Sequence, residues 1–264
     1  MADRADLDFT YSLTDRIFRL SLGELADFSG AKYDGNFSLS LEEAQRRKHE
    51  HIAEQIGIGP GRRVLDLGCG WGGLLDFIRR RGATGVGVTL SSAQLRACRR
   101  HGLDVRLSDA RGLTREGFGA FDAVASLGAF EHFCSREQHR AGRQEEIDIA
   151  APRDSDAWYL ALMGRQFPGS WLPSGPEQVV RTAEPDFRLV SSASGRLDYI
   201  QTIREWRRRF AVRSPRKALL KVRLVPRWAT SPDFRLAFTS GVSANSVCFE
   251  RELLDHFRLT FERV

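Results

Sequence analysis

Apolar residues along this chain follow two rhythms, and the change between them marks out its elements. From Val64 to Leu127, short apolar runs alternate with stretches spaced like amphipathic helices. The runs predict strands at Val64–Leu67, Gly85–Leu90, Leu103–Leu107 and Ala123–Leu127. Helices are expected between them at Trp71 to about Arg81 and Ser91 to about Arg100. Ahead of this block, Leu41, Ala44, Ile52 and Ile56 form one stripe of a helix that Ser40 and Glu43 can open as a capping box and Gly57 can stop. A shorter stripe, Leu13, Ile17, Phe18 and Leu20, predicts a helix within Tyr11–Leu20.

The later half is less regular. Helices are expected at Ser155–Gln166, Glu177–Thr182 and from Tyr199 along Ile200, Ile203, Trp206 and Phe210, with a Pro/Gly loop at Phe167–Pro176. A strand is expected at Phe187–Ser192, a helix within Pro226–Thr239, and a closing helix followed by a strand from Phe257.

The βαβαβ alternation calls for an α/β fold of the Rossmann-like, doubly wound class, in which ligands bind outside the carboxyl ends of the parallel strands. The turn Val64–Gly73 ("VLDLGCGWGG") follows strand one, and Gly68, Gly70 and Gly73 let its backbone bend sharply and approach a ligand. Taken alone, this turn fits any dinucleotide fingerprint. A nicotinamide site wants a carboxylate about 20 residues on, and Val88, Thr89, Leu90 and Ser91 stand there instead. Asp66, Thr89, Asp109 and the segment Leu127 to Glu131 would then line one crevice. The loop Asp27–Phe37 is either a cover for that crevice or a plain connector.

Composition narrows the picture. The net charge of +6 is arginine-rich, and no nucleic-acid motif accompanies it. Cys69, Cys98, Cys134 and Cys248 form no C-x-x-C pair, so reduced thiols and no metal are expected. His49 and His51 are expected to be solvated. Asp3, Arg4, Asp6, Asp8, Asp15 and Arg16 exclude a signal-peptide core from the first twenty residues, and a cytoplasmic location is the expectation. Arg204 to Lys217 is the densest basic stretch, read as a solvated face or as an attraction to anionic lipid or an acidic acyl carrier.

The stretches "YSLTDRIFRL", "SLSLEEAQRRKHEHI", "VLDLGCGWGG", "GVGVTLSSAQ", "SLGAFEHF", "FPGSWLP" and "GRLDYIQTIREW", in this order from Tyr11 to Trp206, resemble the cyclopropane-fatty-acid synthase family of S-adenosylmethionine (SAM)-dependent methyltransferases, which includes the mycolic acid cyclopropane synthases. The resemblance implies an N-terminal helical lid over residues 1–58 and a SAM-binding domain over residues 59–264, with a helical substrate region at about residues 152–240. It implies cofactor contacts from Asp66, Gly68 and Gly70 at the methionine part, Thr89, Leu90 and Gln94 on the ribose side, Asp109 at the adenine end, and Tyr33 and Leu127. It also implies a bicarbonate ion as base, held near Leu127, Gly35, Glu131 and Tyr199. The implied reaction is methyl transfer to an unsaturated carbon of a lipid-like substrate, with or without cyclopropane ring closure. The same fold leaves open a small-molecule C- or N-methyltransferase and a SAM-binding protein without catalysis.

One departure stands out. After "EHF" the family continues into a fifth strand, whereas here only Glu146–Ala150 is β-like, and it is short and polar for a central strand. Strand five is expected to be missing or degenerate, which implies either weakened chemistry or the loss of an internal segment at the junction near Ile147 and Asp148.

Overall fold

The computed structural model describes residues 15–23, 25–132, 152–166, 172–230, 232, 235 and 244–264. A helix, α1, covers residues 15–22, and α2 follows at Leu41–Ile56. The Ser40 capping box forms in full, and Gly57 ends α2 in the left-handed conformation at φ 66°, where only glycine avoids a Cβ penalty.

Four parallel strands come next: β1 (Arg63–Leu67), β2 (Thr84–Thr89), β3 (Asp104–Leu107) and β4 (Ala123–Ala125), in the order β3-β2-β1-β4. Helix α3 (Gly73–Arg80) links β1 to β2, α4 (Ser92–Arg100) links β2 to β3, and a single turn of helix, α5 (Arg115–Phe118), precedes β4. Because side chains alternate across a strand, Val64 feeds one face, with Leu74, Leu75, Ile78 and Val105, while Leu65 feeds the other, with Val86, Val88 and Phe121. Each such fully buried side chain contributes roughly 1.5–3 kcal/mol. Contact between α3 and β2 is close: a Cβ on Gly87 would stand 2.6 Å from Leu75 Cδ1 and 2.8 Å from Cys69 Sγ.

After residue 151 come α6 (Asp156–Gln166), α7 (Pro176–Ala183), β5 (Phe187–Ser194), α8 (Arg196–Ala211), α9 (Pro215–Thr230), α10 at residues 244–250 and β6 (Phe257–Arg263). Among the described residues, strands β5 and β6 pair only with each other, antiparallel, with an irregularity between Leu189 and Ser191. Helix α8 carries this half onto the first: Ile200, Ile203 and Trp206 pack with Ala31, Tyr33, Leu41 and Ala44.

Several expectations need correction. Strand β4 stops at Ala125 rather than Leu127, because the chain turns at Gly128 with φ 64°. Helix α9 begins at Pro215 and runs through Pro226, which a helix tolerates at the loss of one hydrogen bond and a local kink, so Pro226 is not a boundary. The basic stretch is neutralised in part, with Arg204 paired to Glu250, Arg208 to Glu205 and Arg209 to Glu42. Among the described residues no strand pairs with β4 on the side away from β1. The β-like piece Glu146–Ala150, together with Cys134, Tyr11 and the start of the loop at Phe167, lies outside the described residues.

Candidate functional site

At the carboxyl ends of β1 and β2 the structure opens a crevice enclosing about 980 Å³, part of it continuous with solvent. Asp66, Gly68 and Gly70 line it from β1 and its turn, and Thr89, Leu90 and Gln94 from β2 and the start of α4. Asp109 and Leu127 line it from the segments after β3 and β4. Asp66, Thr89, Asp109 and Leu127 were expected here because the strand ends of a doubly wound sheet converge, and Gly68, Gly70, Leu90 and Gln94 because the family resemblance implied them.

These groups are tightly set. Ser91 caps α4, and its backbone N–H donates to Thr89 Oγ1 at 3.1 Å. The Thr89 hydroxyl donates to Gln94 Oε1 at 2.7 Å, so the amide nitrogen is what Gln94 offers the crevice. Asp109 is already engaged: its carboxylate accepts from Arg111 N at 2.9 Å and Arg111 Nε at 2.8 Å, and this bonding holds it below the usual carboxylate range.

A buried polar cluster forms the opposite wall and was missed. Lys48, on α2, donates to Asp27 Oδ2 at 2.7 Å, Ser29 Oγ at 2.7 Å and Gln45 Oε1 at 2.6 Å. Gln45 Nε2 donates to the Ser29 carbonyl at 2.9 Å. The expectation of a solvated His49 is wrong. Its ring is buried, and Nε2 lies 2.9 Å from Asp27 Oδ2 without the geometry of a hydrogen bond. Asp27, Phe28, Ser29 and His49 all line the crevice. A signal for this wall was present: Leu41, Gln45, Lys48 and Ile52 share one face of α2, so two polar side chains interrupt an apolar stripe.

Burial sets the electrostatics here. It pushes the Asp27 carboxyl up, but Lys48 and His49 together outweigh it and hold that carboxyl well below its ordinary range. Asp66 is only 2% exposed: burial first, and the charge of Asp27 second, raise it to about 7 against a smaller opposing pull from Lys48. Burial also lowers Lys48 and His49.

The remaining expected residues are not brought to the crevice. Tyr33 is fully buried in the α2–α8 cluster, where burial raises its phenol to about 12 and its hydroxyl finds no hydrogen-bond partner among the described residues. Gly35 sits on an exposed turn with open space beside it. Glu131 lies in the single turn Phe130–His132, outside the lining, which Leu127, Gly128 and Ala129 supply instead. Tyr199, expected to point into the crevice, packs its ring against Phe249 at 4.7 Å and stacks on His256 at 5.0 Å. The loop is fixed from this side too. Ala31 N donates to Thr202 Oγ1, and Arg258 donates to both the Ala31 carbonyl and Asp198 Oδ2 at 2.9 Å.

Among known proteins, the family profile described as mycolic acid cyclopropane synthetase matches residues 2–145. A probable fatty acid methyltransferase of Mycobacterium tuberculosis is 38% identical over 130 residues, which cover 46% of this chain and 30% of that protein. The cyclopropane-fatty-acyl-phospholipid synthase of Escherichia coli strain K12 is 31% identical over 224 residues, or 78% of this chain and 56% of that protein. The chain therefore spans 30% and 56% of the lengths of these two relatives. The crystal structure of mycolic acid cyclopropane synthase CmaA1 complexed with SAH and CTAB has the same fold, with a TM-score of 0.75 at 21% identity over 99% of this chain and 98% of the other. The profile match extends over more than half of the 264 residues, and the chain belongs to the mycolic acid cyclopropane synthetase family.

Proposed function

We propose that this chain is a SAM-dependent methyltransferase acting on an unsaturated carbon of a lipid acyl chain. The observation that carries the reading is the convergence of Asp66, Gly68, Gly70, Thr89, Gln94 and Asp109 on one crevice beside the family's glycine turn. The relatives, a probable fatty acid methyltransferase and a cyclopropane-fatty-acyl-phospholipid synthase by name, support the substrate class, and the SAH in the CmaA1 complex supports the cofactor.

The crevice fits such a cofactor. At Gly70, φ is 54° and a Cβ would project into open space, so the backbone can be approached closely. The buried carboxyl of Asp66 suits the cationic methionine end, and Thr89, Leu90 and Gln94 suit the ribose. Asp109, already bound to Arg111, offers the adenine end an edge rather than a free charge. When bound, SAM supplies an electrophilic methyl group on a sulfonium. The chain's part is to hold the alkene in line with that methyl and keep water out, with Phe28, Trp71 and Leu127 as the apolar lining. Such orientation supplies roughly 7 kcal/mol or more. Residues 1–58 serve in this reading as the lid and residues 59–264 as the cofactor domain.

A bicarbonate base does not fit the arrangement equally well. Of Leu127, Gly35, Glu131 and Tyr199, only Leu127 lines the crevice, so no step is assigned to that ion. This observation favours a second reading, a SAM-binding protein without turnover. Calorimetry with SAM, followed by mass spectrometry of a lipid extract incubated with protein and SAM, tests both. Binding together with the gain of CH2 by unsaturated chains is the expected result, and Gln94→Ala should weaken binding about tenfold by removing one hydrogen bond. Absence of SAM binding overturns both readings; binding without product leaves the second.

A further inference from the structure

Helix α9 presents an apolar face outward. At 100° per residue, Leu219, Val222, Pro226 and Ala229 lie along one line, with Val225 beside it. Leu219, Val222 and Val225 are 59%, 66% and 55% exposed. The opposite face holds the helix to the protein: Lys217 is buried and donates to the Arg209 carbonyl at 2.6 Å, with Leu220 and Leu224 half-buried beside it.

The flanks of the outward face are cationic. Arg216 and Arg223 border it on one side, and Lys221 and the exposed Trp228 on the other. Arg216, Lys221 and Arg223 form no ion pair among the described residues, unlike Arg204, Arg208 and Arg209 one helix earlier. From Trp206 to Pro232 the sequence contains no Asp or Glu. An outward apolar strip with cations along both borders and a tryptophan at one edge is what a helix lying in a lipid headgroup layer requires. The strip enters the acyl boundary while the long basic side chains reach back to phosphate.

We propose that α9 docks this protein on an anionic lipid surface through Leu219, Val222 and Val225, with Arg216, Lys221 and Arg223 contacting headgroup phosphates. An acidic protein partner is the less suited occupant, because the cations border the apolar strip on both sides instead of forming one patch. The proposal goes beyond the methyltransferase reading and is read without catalysis.

The test is co-sedimentation of the full chain with phosphatidylcholine vesicles with and without phosphatidylglycerol, at low and high salt. Binding is expected only to the phosphatidylglycerol vesicles and should fall with salt. Removing each cation should lower partition about fivefold, so the triple variant Arg216→Gln/Lys221→Gln/Arg223→Gln should lose about a hundredfold. Val222→Glu should abolish binding, and the emission blue-shift that vesicles produce in the wild type should shrink in Trp228→Phe. Circular dichroism and SAM calorimetry on each variant should be unchanged, which separates loss of docking from loss of fold or of the cofactor site. Vesicle binding that survives both Val222→Glu and the triple variant overturns the proposal. So does absence of vesicle binding by the folded wild type, or loss in the variants of binding to an acyl carrier protein while vesicle binding persists.

Discussion

Valine serves both sheets of this protein, yet it does different work in each. Val64, Val86, Val88 and Val105 in the parallel sheet are at most 2% exposed, whereas Val190 in β5 is 53% exposed. The parallel sheet lies between α3 and α4 on one face and the Leu113–Phe121 segment on the other, so β1 and β2 are covered twice, while Val124 on the edge strand β4 is 52% exposed. The β5–β6 ribbon is held chiefly by its own ladder. The same contrast holds for ion pairs: Lys48–Asp27 is enclosed, while Arg209–Glu42 leaves its glutamate 67% exposed. Burial on both faces therefore concentrates stability and chemistry in the first half, and substitutions should be felt in that proportion.

The largest effect is expected from Lys48→Met. It strands the Asp27 carboxylate beside Asp66, and breaking one partner of a buried pair costs about 3–5 kcal/mol. A urea-unfolding loss below about 1 kcal/mol, the value of a surface pair, would erase the distinction between the two regions.

Asp66→Asn should sharpen it through pH. A carboxyl raised in the folded state contributes stability that is fully present below its ordinary pKa and is lost as pH rises through the folded value, here about 7. Wild-type stability should therefore decline between about pH 4 and pH 7 relative to the asparagine variant, by roughly 2–4 kcal/mol. Parallel stability profiles of the two proteins would show that Asp66 ionises without penalty. Asp27 works in the opposite sense, since its lowered pKa gives stability above the ordinary carboxylate range that is lost on acidification.

Gly87→Ala is expected to cost about 1–3 kcal/mol, because the new Cβ would press on Leu75 and Cys69 and push α3 off β2. Val190→Thr, the matching change in the ribbon, should stay within about 0.5 kcal/mol. Equal losses at these two positions, measured in one denaturation series, would mean that the ribbon is as tightly packed as the sheet.

The same difference explains what could be read from the sequence. Strands β1 to β3 and their helices were legible because each buries an apolar run next to a turn or cap whose chemistry is local: Ser40 with Glu43, Ser91 with Gln94, and the glycines after Leu67. Asp66, Thr89, Asp109 and Leu127 were legible for the same reason, since a strand end fixes their place, while Gly68, Gly70, Leu90 and Gln94 were legible through the family resemblance. The wall formed by Asp27, Ser29 and Lys48 was not, because its bonds join residues 19 and 21 positions apart, and only the polar break in the α2 stripe hinted at it. Tyr199 was misplaced because its stacking partners, Phe249 and His256, come from a segment with no motif. The start of α9 was misplaced at Pro226 because proline is ordinarily a helix boundary, whereas here the helix begins at Pro215 and continues through Pro226.

Gly30 joins these distant pieces. A Cβ there would stand 2.6 Å from Tyr199 Cδ2 and 3.2 Å from His256 Nε2, and the neighbouring Ala31 carbonyl is held by Arg258. During synthesis, when chains fold as they emerge, the glycine turn at residues 68–73 is made early. The wall facing it cannot settle until residue 258 has left the ribosome, so the crevice becomes competent to hold a ligand only after about 190 further residues have been made.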